Sequence, residues 1–131
     1  MRRDTKAAAT ILLVDDVDEY RNLIKRGLER KGYGVKTACD EPDAIERARC
    51  VRPDMILLEM GRTPTLRTLD TGRRIRSDAG VGDEVKVVVY ADRADETVSE
   101  GEEVRLGAHE YVILPEDGEQ LEGFLGHLLT G

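Results

Sequence analysis

"MILLEM", residues 55–60, is an apolar run broken by a carboxylate at Glu59. Successive aliphatic side chains without alternation suit a strand covered on both faces, and glutamate is a poor strand former, so its place after "ILL" asks for a local reason. Similar short runs recur along the chain at "TILLVD" (10–15), "GVKTA" (34–38), "DMILLE" (54–59), "VKVVVY" (85–90) and "EYVIL" (110–114). Each is short and rich in aliphatic or β-branched residues, as strands are.

Helical spacing fills the intervals. Tyr20, Leu23, Ile24, Gly27 and Leu28 predict a helix over 17–31, and Leu121, Phe124, Leu125, Leu128 and Leu129 predict one over 118–129. Ala44, Ile45 and Ala48 give a shorter helix opened by "DEPD". "DTGRRIR" and "TVSEGEEVRLG" give weaker third and fourth helices. "RKGYG" stops the first helix with glycine. Five strands, each followed by a helix and joined by connections too long for hairpins, imply a parallel sheet with right-handed crossovers. The expected fold is a doubly wound α/β sandwich with five strands and five helices, residues 10–129 forming one domain after a tail at 1–9.

Composition narrows the function. A chain of 131 residues with 40% hydrophobic content supports one core, and 20 basic against 27 acidic residues leave a net charge of −7. That balance opposes broad attachment to nucleic-acid phosphates or anionic lipid. No apolar run approaches the roughly 18 residues of a membrane span, and "MRRDTKAAAT" lacks the apolar centre of a signal peptide, so a cytoplasmic protein is expected. Cys39 and Cys50 lack the paired short spacings of a zinc site and are expected to be reduced core residues.

In a doubly wound sheet the functional crevice lies outside the carboxyl ends of the strands. The first strand ends in Asp15 and Asp16 and the third in Glu59, so three carboxylates are expected to converge there. Helix capping by Asp16 or Asp18 is the competing account of the first two acids, but it does not explain Glu59, because glutamate is a poor N-cap. Converging carboxylates repel one another unless a cation is present, and hard oxygen donors suit Mg2+.

At these residues the chain resembles the receiver domain of two-component response regulators, over essentially all of 10–129. "ILLVDDVDEYRNLIKRGLERKGYGVKTACDEPDAIERARCVRPDMILLEM" carries the family's acidic pair after the first strand, its "GY.V" before the second and its "PD.ILL" through the third, and "LGAHEYVILPEDGEQLEGFL" is similar to its later part. The resemblance implies the flavodoxin-like strand order 2-1-3-4-5. It also implies Mg2+ held by an acid such as Asp16, the acid ending the third strand and a main-chain carbonyl, with phosphoryl transfer from a histidine kinase to an aspartate at the position of Glu59.

Three departures from the family pattern fall on that chemistry. Glu59 stands where the phospho-accepting aspartate belongs, with its carboxylate one methylene farther from the backbone. Ala91, or Tyr90 in a register shifted by one, replaces the Ser/Thr that hydrogen-bonds the phosphoryl group, and Leu114 replaces the lysine before Pro115. In-line phosphoryl transfer depends on positioning and electrostatic stabilisation, so these losses compound one another. A glutamate also resembles a phosphorylated aspartate in reach, though it carries one charge and two acceptor oxygens.

The segment "MGRTPTLRTLDTGRRIR" reads as a connection longer than the family's, whose Arg62 or Arg67 offers Glu59 or Asp16 a counter-charge in place of a metal. Tyr111 occupies the family's switch aromatic position, uncoupled here from a strand-four hydroxyl and expected to stay packed or at the surface. The expectation is a pseudo-receiver that acts as a protein-interaction module rather than an enzyme. It would meet a signalling partner, a second copy or a histidine kinase through roughly 95–129, a segment acidic at Glu96, Glu100, Glu102, Glu103, Glu110, Glu116, Asp117, Glu119 and Glu122. Two alternatives are a receiver that accepts a phosphoryl group slowly with Mg2+, and a phosphatase of the haloacid dehalogenase type with Asp16 as nucleophile and Asp18 as acid/base. The chain also reads equally well as a full-length protein or as one module of a longer one.

Overall fold

The computed structural model describes residues 9–61 and 63–130. In chain order the elements are β1 (Thr10–Asp15), α1 (Asp18–Arg30), β2 (Gly34–Ala38), α2 (Glu41–Val51), β3 (Met55–Glu59), α3 (Thr65–Ala79), β4 (Lys86–Tyr90), β5 (Glu103–Arg105), β6 (Glu110–Ile113) and α4 (Gly118–Thr130). The strands form one sheet in the order β2-β1-β3-β4-β6-β5, parallel except for β5, which runs antiparallel to β6 at the edge. The expected order holds for the five parallel strands.

Side-chain alternation splits the core into two layers. Leu12, Val14, Ile56, Leu58, Val87 and Val89 pack against Ala44 and Ala48 of α2 and Leu69 and Ile75 of α3. Ile11, Leu13, Met55, Leu57 and Val88 pack on the opposite face against Leu28 of α1 and Leu121 and Leu125 of α4. Every residue of β3 is therefore buried, which is why its sequence shows no alternation. Each of these large aliphatic side chains stabilises the fold by roughly 1.5–3 kcal/mol relative to exposure.

The termini of the helices follow local chemistry. The Asp40 side chain accepts the Asp43 N–H at 2.9 Å to open α2, as "DEPD" foretold, and Arg52 closes that helix in the left-handed region at φ 50°. Neither Asp16 nor Asp18 caps α1: its N-cap residue is Val17, and Asp18 lies in the first turn. Cys39 and Cys50 are exposed rather than core residues, because Cys39 follows β2 and Cys50 lies on the outward side of α2.

Two larger corrections concern the helices. The third begins at Thr65, so the supposed long connection after Glu59 is short, and its added residues extend the helix, burying Thr65, Thr68, Leu69, Gly72 and Ile75. The expected fourth helix at "TVSEGEEVRLG" does not form. Asp95 Oδ1 accepts the N–H groups of Thr97 and Val98 at 2.7 and 3.1 Å, a local turn that competes with helix. Farther on, Gly101 N–H donates to Leu114 O at 2.7 Å and Leu114 N–H to Glu102 O at 3.1 Å, so the segment joins the sheet as an antiparallel hairpin with β6. The described residues thus form four helices and six strands instead of five and five.

Gly72 brings α3 close to the sheet: a Cβ there would lie 2.4 Å from Val87 Cγ1 and 3.1 Å from Leu58 Cδ2. Both neighbours are fully buried and stiffly held. Gly72→Ala is expected to lower stability in urea unfolding by about 1–3 kcal/mol through overpacking, although alanine favours helix. At Gly123 of α4 an added Cβ meets nothing within 4 Å, and Gly123→Ala is expected to raise stability by up to about 1 kcal/mol. Equal effects at the two positions would contradict the packing described.

Candidate functional site: an acidic pocket closed by a tyrosine

The pocket follows from strand register. Asp15 pairs with Glu59 across β1 and β3, and Leu58 pairs with Val89 across β3 and β4, so Tyr90 comes next to Glu59. By alternation Asp15, Glu59 and Tyr90 share the face that carries Leu13, Leu57 and Val88. Oxygens of Asp15, Asp16 and Glu59 lie within 4.8 Å of one another, so the three expected acids do converge. Asp15 is fully buried and Glu59 is 9% exposed, whereas Asp16 faces solvent.

Tyr90 closes this pocket. Its ring is buried in the layer under α1 and α4, and its hydroxyl donates a hydrogen bond to Asp15 Oδ2. β1 and β4 are separated by β3, roughly 9.5 Å apart, a span a phenol crosses and a serine or threonine does not. Asp15 Oδ1 accepts the Val17 N–H at 2.9 Å, holding the turn into α1, while Arg21 Nη1 donates to the Asp15 carbonyl at 2.7 Å. Asp16 Oδ1 accepts the Gly61 N–H at 3.3 Å from the connection after β3. Among the described residues, the Glu59 carboxylate has neither a hydrogen-bond donor nor an ion pair.

The electrostatics match that arrangement. Burial, then the charges of Asp15, Asp92 and Asp16, push the Glu59 carboxyl up to about 7, with Arg93 opposing. Burial also raises Asp15, against the hydrogen bonds from Tyr90 and Val17. Tyr90 is pushed far above the ordinary phenol range, by burial first and then by the Asp15 charge, so it remains a neutral donor.

The other sequence-selected residues occupy distinct places. Ala91 is half-buried and donates its N–H to Ile113 O at 2.8 Å, beside the pocket but with no polar side-chain atom to offer it. Leu114 is buried in the layer with Val89 and Val98 and offers the pocket no charge in the lysine's place. Tyr111 is half-buried, edge-on to Phe124 at 6.0 Å with the Arg105 guanidinium 5.9 Å from its ring centre. Arg67 is exposed on α3, and Arg62 lies outside the described residues. Glu110 departs from the expected acidic face, since Arg76 and Arg73 pair with it. What sequence reasoning missed was the Tyr90–Asp15 bond, whose only trace was a tyrosine ending "VKVVVY".

The family model described as "Response regulator receiver domain" matches residues 11–125. The chain belongs to the response regulator receiver domain family. Among curated relatives, the transcriptional regulatory protein AfsQ1 of Streptomyces coelicolor is 31% identical over 114 residues, 86% of this chain and 48% of the relative. CseB of Streptomyces avermitilis, also a transcriptional regulatory protein, is 33% identical over 82% of this chain and 43% of its own length. The receiver thus spans under half the length of these relatives. The Vibrio cholerae chemotaxis protein CheY4 superposes with a TM-score of 0.70 at 22% identity, covering 92% of this chain and 98% of that one. A response regulator from Thermotoga maritima gives 0.69 at 22%, covering 95% and 99%. These two likenesses speak for the receiver fold. No helix among the described residues is long and apolar enough to cross a membrane.

Two outcomes follow from the pocket. Glu59 has a folded-state pKa above its ordinary 4.5, so the folded receiver holds the extra proton between about pH 4.5 and 7, and stability falls as pH rises through that window. Glu59→Gln is expected to flatten the fall, worth up to about 3 kcal/mol, when urea unfolding is followed across pH; parallel curves would contradict it. Tyr90→Phe, which leaves Asp15 Oδ2 without its donor, is expected to cost about 1–3 kcal/mol at neutral pH and to be non-additive with Asp15→Asn.

Proposed function

We propose that this receiver domain, spanning 10–129 after a tail at 1–9, is a pseudo-receiver. Its phosphoryl switch is shut, and it serves signal transduction as a protein-interaction module rather than as an enzyme. The observation that carries the reading is the hydrogen bond from the buried Tyr90 hydroxyl to Asp15, next to a glutamate in the acceptor's place. A phosphoryl group on Glu59 would enter a pocket holding Asp15 and Asp16, with Leu114 in the lysine's place and Ala91 in that of the strand-four hydroxyl. Removing one such stabilising donor from an active site costs on the order of 2.7–4 kcal/mol in reaction barrier, and here two are missing while the nucleophile is displaced.

The donor set suits Mg2+: three hard carboxylates converge, and Asp16, Glu59 and Asp15 are the residues that would hold it. A bound Mg2+ would supply charge neutralisation, which differs from supplying a switch. The reading keeps the family's signalling region, roughly 95–129, as the contact surface for a protein partner, a second copy or a histidine kinase, with no direct nucleic-acid contact. That surface is reshaped here, since an edge strand and an Asp95-centred turn stand where a helix was expected. Tyr111, held against Phe124 and Arg105, belongs to it as a packing residue.

Incubation with acetyl phosphate and Mg2+, followed by intact-mass measurement, is expected to leave the mass unchanged. A hydroxylamine-labile gain of one phosphoryl group would contradict the proposal.

A further inference from the structure

A cavity of about 480 Å3 opens beside the acidic pocket, walled by Glu59 and Met60, by Thr65 and Thr68 of α3, and by Ala91 and Asp92 after β4. Its size falls within the roughly 300–1,000 Å3 usual for small-ligand sites. Two features set its chemistry. Glu59 is buried to nine-tenths and lines the cavity, yet among the described residues no donor or ion pair meets its carboxylate. Around it the lining carries Asp92 and Asp95 and, among the described residues, one cation, Arg93, whose guanidinium lies 3.5 Å from Asp92 in a pair exposed to solvent. Asp15 and Asp16 lie immediately behind Glu59 and add negative charge without neutralising it.

Thr65, Thr68 and Asp95 in the wall are already engaged. The Asp95 carboxylate takes the Thr65 hydroxyl and the N–H groups of Thr97 and Val98, and Thr68 donates to the Pro64 carbonyl at 3.3 Å. Glu59 is a nine-tenths-buried acceptor in this wall with no donor among the described residues, and apolar surface from Met60, Val89 and Ala91 lies beside it. An anion entering this cavity would meet repulsion, and a neutral apolar molecule would leave a buried charge unmet. A cation on a short aliphatic stem satisfies both the carboxylate and the apolar wall.

We propose that the Glu59 cavity binds a guanidinium or alkylammonium group, as an arginine or lysine side chain or a free amine presents it, so that an external cation supplies the positive charge that Leu114, standing in the lysine's place, does not. The inference rests on the pseudo-receiver reading and names the chemistry of its ligand. The geometry that carries it is the nine-tenths-buried Glu59 in the cavity wall, whose carboxylate meets no donor among the described residues and lies within 4.8 Å of the Asp15 and Asp16 oxygens, with Tyr90 lining the same cavity.

The test titrates n-propylguanidinium, n-butylammonium, a blocked arginine tripeptide, sodium and Mg2+ separately into isotope-labelled protein in mildly alkaline buffer, following amide shifts. Saturable shifts at Glu59, Thr65 and Ala91 with the organic cations are expected, weakened about ten- to hundredfold in Glu59→Gln, as loss of a charged hydrogen-bond acceptor implies. Ala91→Leu, which fills the cavity from its wall and keeps Glu59, should weaken them as well. Tighter binding of the tripeptide assigns the cation to a protein partner, and equal binding assigns it to a free amine; either supports the proposal. No saturable shift, the same response to sodium, or binding unchanged in Glu59→Gln would overturn it. Mass gain from acetyl phosphate fails the pseudo-receiver reading instead, so the two failures are told apart.

Discussion

A buried carboxylate must be met by a donor, and at the end of β1 that donor is the phenol of Tyr90. The bond crosses from β4 to β1 over the end of β3, tying together the strands whose ends build the pocket. It fixes the state of three groups at once. Tyr90 stays neutral because burial and Asp15 raise its pKa, Asp15 is held with both oxygens engaged, and Glu59 is left between them without a partner among the described residues. The raised pKa of Glu59 follows from that exclusion, burial being its first cause and the neighbouring acids the next.

This arrangement replaces one way of balancing charge with another. Where the family resemblance implies a lysine and a metal facing an aspartate, the acids here are eased by a phenol, by main-chain N–H groups from Val17 and Gly61, and by the tendency of Glu59 to keep its proton. In the neighbouring segment, Asp95 ties the stretch after β4 to Thr65 at the start of α3, and β5 is hydrogen-bonded to β6.

Much of this was legible in the sequence because it depends on burial. The five parallel strands declared themselves as short aliphatic runs, and the convergence of Asp15, Asp16 and Glu59 followed from the rule for strand ends. What the sequence concealed depends on long-range pairing. Residues 95–105 hold few apolar side chains, so no periodicity marks their state; the turn at Asp95 and pairing with β6 decide it. The third helix was read short because its buried face uses Thr65, Thr68 and Gly72, which do not look like a core. The cysteines misled for the opposite reason, since a residue type common in cores sits here on exposed positions. Tyr90 was visible as a residue, but its partner lies two strands away, and only the register across β3 brings the two together.

The most direct measurement is an amide-shift titration of the receiver with Mg2+, with and without beryllofluoride as a phosphoryl mimic. A closed pocket gives no beryllofluoride-dependent change, and Mg2+ shifts stay confined to the neighbourhood of Asp15, Asp16 and Glu59. Beryllofluoride-dependent shifts spreading from Glu59 through 91–105 to Tyr111 would mean that the Tyr90–Asp15 bond yields to a phosphoryl group, and would contradict the account.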